Sequence, residues 1–123
     1  MKPIQIKKNY IEIPVQDDTG ETLKTFKFEI TDDSFKRIFN EFDEMKKKGK
    51  ELEQSDLEDD EANDYIKGTF NNLLGEGAYE FFYELNPSVV ILMHYLITIT
   101  SGIIEEVVEL YSDDKLNKYV YGK

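Results

Sequence analysis

Cysteine is absent from this chain of 123 residues, and histidine occurs once, at position 94. The first absence excludes disulfide bridges, a thiolate nucleophile and a thiolate zinc site, and it suits a reducing cytoplasm. The second leaves His94 or a carboxylate as the general base of any acid-base chemistry. Positive charge is scarce too: 15 Lys and Arg stand against 26 Asp and Glu, a formal net charge of -11. That balance repels nucleic-acid backbones and anionic lipid surfaces and favours solubility, so neither nucleic acid nor a membrane is expected as a partner. "MKPIQIKKNY" lacks the continuous apolar run of a signal peptide. No export signal is read, and a cytoplasmic location is expected.

What is present fits one domain, with a hairpin region over 1–30, a helical region over 31–111 and a C-terminal tail over 112–123. A domain of this size buries about two-thirds of the surface its unfolded chain exposes. In "YIEIPV" the residues Ile11, Ile13 and Val15 alternate with Tyr10, Glu12 and Pro14, the period of a half-buried strand, and Pro14 marks an edge. After "QDDTGE", Phe26, Phe28 and Ile30 alternate in the same way, and Gly20 suits the turn of a β-hairpin. Ile4 and Ile6 also alternate, which leaves room for a third strand or an extension of the first.

Thr31, Asp32 and Asp33 suit a helix start, and Phe35, Ile38, Phe39, Phe42 and Met45 form one apolar face behind them. That face is lost around Gly49. "SDLE" then reads as a restart in which Ser55 and Glu58 cap each other's backbone donors. From Ala62 the stripe Tyr65, Ile66, Thr69, Phe70, Leu73 and Leu74 indicates a helix that Gly75 ends. "AYEFFYEL" is a short helical piece, with Asn86 and Pro87 as N-cap and first-turn residue of a last long helix. The fold class expected is α+β: an N-terminal antiparallel β-hairpin packed on a bundle of three to four α-helices. Its core is expected to include Phe26, Phe28, Phe35, Phe39, Phe42, Ile66, Phe70, Leu73, Leu92, Leu96 and Ile103.

"LNPSVVILMHYLITITSGII" carries no formal charge in a chain where 33% of residues do. On a helical wheel His94, Thr98, Ser101, Gly102, Glu105 and Glu109 share one sector, with Ile91 the apolar intruder. A lipid-facing helix is not striped in this way, and both flanks are acidic where a membrane anchor needs Lys or Arg. The run reads as part of a longer amphipathic helix whose wide apolar arc can pack on more than one side. Some of that arc, with the aromatic cluster beside it, is expected to face another protein. The partner-binding candidates are Phe81, Phe82, Tyr83, Val89, Met93 and Leu96, and self-association stays open.

Constellations for catalysis fail one by one. His94 with Thr98, Ser101 and Glu105 follows plain helical spacing, so amphipathicity alone explains it. "GEG" at 75–77 lacks the third glycine of a dinucleotide fingerprint, having Glu80 there, and follows a helix where a strand is required. "DLEDDEAND" places carboxylates as a calcium loop does, but Glu61 and Lys67 occupy its glycine and glutamate positions. No catalytic residue, metal ligand or cofactor is expected, and no enzyme. The eight acidic residues from Glu51 to Asp64 suit a solvated helix start. They also motivate the alternative of an acidic protein-binding inhibitor, or DNA mimic, directed at a basic partner.

The hairpin "IEIPVQDDTGETLKTFKFEI", the Asp-rich helix start "TDDSFKRIFNEF" and the later "FNNLLGEGAYEFFYELNPSVVILMHYLITI" together resemble small tail assembly chaperones of long-tailed phages and prophages of Gram-positive bacteria. The most telling part is "LLGEGAYEFFYELNPSV", a Leu-Gly-x-Gly turn before a short aromatic helix and a Pro-Ser helix start. The similarity spans roughly residues 10 to 108, and the charged middle adds nothing to it. The resemblance implies a non-enzymatic protein of the bacterial host cytoplasm that binds the tape measure protein during virion assembly and is displaced by tail tube subunits. It implies no cofactor, and it allows a longer product made by programmed frameshifting.

Overall fold

The computed structural model describes residues 1–6, 9–54 and 60–111. Two strands and four helices follow one another: β1 (Tyr10–Gln16), β2 (Thr22–Glu29), α1 (Asp32–Gln54), α2 (Asp60–Leu74), α3 (Ala78–Leu85) and α4 (Val89–Tyr111). The architecture is α+β, an antiparallel hairpin followed by helices. Ile4 and Ile6 form no third strand, for both are exposed and lie outside any element. The expected tail at 112–123 and the Ser55–Glu58 capping arrangement lie outside the described residues.

The hairpin register pairs Ile11 with Phe28 and Ile13 with Phe26. Just before this ladder the Ile30 amide donates to the Asn9 carbonyl at 2.6 Å. Hydrogen-bonded and non-bonded pairs alternate along an antiparallel ladder, so Ile11, Ile13 and Val15 bond toward β2 while the nitrogen of Pro14 points away from it. Proline therefore sits where its missing donor costs the ladder nothing. At the turn, Asp17 Oδ1 accepts from the Thr19 amide (2.9 Å), the Thr19 hydroxyl (2.6 Å) and the Glu21 amide (3.0 Å). Those bonds, led by the one from the Thr19 hydroxyl, hold the Asp17 carboxyl below its usual range. Gly20 supplies the left-handed backbone, at φ 87°.

Helix α1 opens with a reciprocal cap in which Ser34 stands where Glu is more usual. The Ser34 amide donates to Thr31 Oγ1 (3.0 Å) and the Thr31 amide donates to Ser34 Oγ (2.8 Å). The Ser34 hydroxyl donates in turn to the Glu29 carbonyl at 2.8 Å, fastening the end of β2 to the helix. α1 then runs unbroken through Gly49, so the apolar face fades there but the helix does not stop. A single helical glycine costs about 1 kcal/mol, which the flanking Lys and Glu, good helix formers, and packing against α4 overcome. The position of a Cβ at Gly49 lies 4.0 Å from Met93 Cε.

α4 packs on both α1 and α2 and touches β1, while α2 also meets α3 and β2. Phe26, Phe28, Ile66, Phe70, Leu73, Leu92, Leu96 and Ile103 are buried, as expected of core residues. Phe35, Phe39 and Phe42 are only half-buried, a correction to the expected core. On α1 the fully buried places go to Ile38 and Met45, two helical turns apart, and the phenylalanines flank that line. Phe35 and Phe39 meet edge to face at 5.3 Å, and the Lys46 ammonium lies 4.4 Å above the Phe42 ring.

Candidate functional site

Two glycines set the approach of α3. Gly75 and Gly77 have φ of 99° and 90°, so "GEG" is an interhelical turn built on left-handed backbone. Asn71 of α2 reaches across it, its Oδ1 accepting from the Tyr79 amide at 3.2 Å in the first turn of α3. At the other end the Asn86 amide donates to the Phe82 carbonyl at 2.9 Å, which makes Asn86 the cap that closes α3. Asn86 therefore does not open α4, contrary to expectation. It is extended, as a residue before proline tends to be, and the Leu92 amide bonds back to the Ser88 carbonyl at 2.9 Å, placing the start of α4 at Ser88.

Being eight residues long, α3 has one inward line, and Ala78 and Phe82 occupy it. Phe82 is 3% exposed and stacks on Phe70 (4.8 Å between centroids) and Phe26 (5.7 Å). Met93 and Leu96 of α4 are buried too, at 6% and 0%. Three of the six partner candidates thus belong to the interior: Met93 and Leu96 are held in the core, and Phe82 keeps only a small exposed edge. The other three behave differently: Tyr83 is exposed, and Phe81 and Val89 are half-buried. Phe81 meets Phe26 edge to face at 5.5 Å, and the Lys24 ammonium lies 4.8 Å from the Phe26 ring centre and 5.5 Å from that of Phe81.

A groove of about 640 Å³ opens beside this aromatic cluster, between the turn end of the hairpin and the α3–α4 junction. Ile13 and Val15 form one wall and Tyr95 and Ile99 the other, with Phe82 reaching in from α3. Leu23 and Leu85 also line it and are 44% and 45% exposed. Among the described residues Asp17 and Asp18 are the only charged ones that line it. The Asn86 side-chain amide donates to the Tyr95 hydroxyl at 2.7 Å, fixing the α3–α4 corner. Leu23, Leu85 and Tyr95 carry no sequence signal for this site, whereas alternation put Ile13 and Val15 on the inner face of the hairpin and the helical wheel put Ile99 on the apolar arc of α4.

The polar stripe of α4 lies where the wheel put it, with His94, Thr98, Gly102, Glu105 and Glu109 exposed and Ser101 half-buried. His94 and Glu105 are eleven residues apart on one helix, about 16 Å along its axis, so they do not share a proton. Among the described residues no group of three or more His, Cys, Asp or Glu is placed to hold a metal ion. In the acidic stretch, Lys48 Nζ lies 3.3 Å from Glu51 and 3.9 Å from Glu61, between the end of α1 and the start of α2. One described helix, α4, is long and apolar enough over Val89–Leu110 to cross a membrane by length and composition. Searches against protein-family models, curated proteins and solved structures find no match to this chain.

Proposed function

We propose that this chain is a non-enzymatic tail assembly chaperone that holds the tape measure protein until tail tube subunits displace it. The observation that carries the reading is the open groove with its exposed Leu23 and Leu85, an apolar surface beside a folded core. The described residues of its walls supply mostly apolar contact. The layout of hairpin, Leu-Gly-x-Gly turn, aromatic helix and Pro-Ser start supports the same reading. A helical client with bare apolar faces aggregates, and a groove that covers one of those faces shields it reversibly. The surplus of negative charge keeps such a complex soluble.

Co-expression with a phage tape measure protein, taken from the same genome as this chain, tests this. The expected result is a stoichiometric, catalytically silent complex from which tail tube protein releases the client. Three outcomes overturn the reading: no complex, salt-sensitive capture of a basic nuclease in its place, or recovery of the chain only from membranes with detergent. The last of these would assign α4 to lipid.

A further inference from the structure

The groove also defines the form and charge of what it takes, an inference that rests on the reading of the chain as a protein-binding module. Pro14 lines it and sits on the outward side of β1, where an added strand would need a backbone donor. An extended peptide pairing there meets a gap in the ladder. A helix satisfies its own backbone and needs side-chain contacts alone, which the apolar walls provide. At the hairpin end those walls finish at Asp17 and Asp18, with no cation among the described lining residues to balance them.

The geometry points to one occupant: an amphipathic helix of a partner protein, with apolar residues three and four apart on one face and a Lys or Arg at the end that meets Asp17 and Asp18. The Asp17 carboxylate stays ionised for this role because three donors of its own turn bond to it. An overall charge of -11 selects for basic helices in the same sense.

The test uses the full chain and two probes. The first is a designed helical peptide of about fourteen residues, with Leu at three-and-four spacing and Lys-Lys at one end, beside a twin ending in Glu-Glu. The second is a set of overlapping peptides covering the tape measure protein. Binding is followed by fluorescence anisotropy and located by amide shifts in NMR spectra. The Lys peptide is expected to bind about threefold tighter than its twin, with shifts at Ile13, Val15, Tyr95 and Ile99. Asp18→Lys, which sets one positive charge beside Asp17, is expected to abolish that preference. Leu23→Glu with Leu85→Glu weakens both peptides about tenfold, with the thermal melt retained because both positions are nearly half exposed.

Equal binding of the twins, shifts elsewhere, or no binding by either twin overturns the inference. So does a dimer that the Leu23→Glu, Leu85→Glu pair dissolves, since the occupant is then a second copy. Tape measure peptides that bind away from the groove leave the chaperone reading standing and remove the inference. A Lys peptide that binds in the groove while every tape measure peptide fails does the reverse.

Discussion

Phe70 and Phe82 stack with their ring centroids 4.8 Å apart and their planes 24° from parallel, joining α2 to α3 through the core. Phe82→Ala leaves a cavity at that contact and is expected to destabilise the domain by about 3–5 kcal/mol. Domains of this kind have about 5–15 kcal/mol in total, so Phe82→Asp, which also buries a charge, is expected not to fold. Urea denaturation checks the first and circular dichroism the second. Tyr83→Ser on the exposed side of α3 is the control, with an expected change within about 0.5 kcal/mol. A normal melt for Phe82→Asp would put the ring outside the core.

Two glycines give opposite signs under the same substitution. Gly77 has φ 90°, so Gly77→Ala forces a side chain into left-handed backbone and is expected to cost about 1–2 kcal/mol. Gly49 lies inside α1, and a Cβ there meets only Met93 Cε, at 4.0 Å, an ordinary contact. Gly49→Ala is therefore expected to stabilise by up to about 1 kcal/mol. Matched thermal melts read both signs. A destabilised Gly49→Ala would mean that α1 and α4 sit closer than this.

These residues also show what the sequence could disclose. Period-two alternation placed Ile11, Phe26 and Phe28 on the buried face of the hairpin, and the wheel sorted α4 into a core arc and a polar stripe. Both patterns persist over enough residues to fix a direction. Phe81, Phe82 and Tyr83 are three aromatics in a row on a short helix, where only one can face inward; Ala78, four residues before Phe82, was the sole local hint. The continuity of α1 through Gly49 and the start of α4 at Ser88 depend on tertiary packing and on the backbone before Pro87. The groove joins β1, the hairpin turn, α3 and α4, and no local pattern reports that meeting.

Burial, then the charge of Glu44, raises the Glu41 carboxyl above the usual Glu range, with Arg37 offsetting part of the effect. The folded state thus holds this proton more tightly than the unfolded state. Its ionisation works against the fold, so stability falls as pH rises through the window between the ordinary and the raised value. Glu41→Gln is expected to raise the melting temperature at neutral pH. That gain should vanish below about pH 4, where the carboxyl is protonated in both states. Melts of the two proteins at each pH check this, and an equal gain at both would sink the electrostatic explanation.

The Asn86–Tyr95 hydrogen bond, 2.7 Å long, ties the end of α3 to the first half of α4 at the wall of the groove. Tyr95→Phe keeps the ring and removes only the hydroxyl, so the expected cost is about 1 kcal/mol. Asn86→Ala breaks the same bond from the other side and should cost a similar amount. Because one interaction is lost in either case, the double variant is expected to be little worse than either single one, and a double-mutant cycle by urea denaturation measures the coupling. Additive losses would show that the bond does not hold the corner. If it does, Tyr95→Phe also weakens peptide binding in the groove, because Tyr95 and Asn86 both line it.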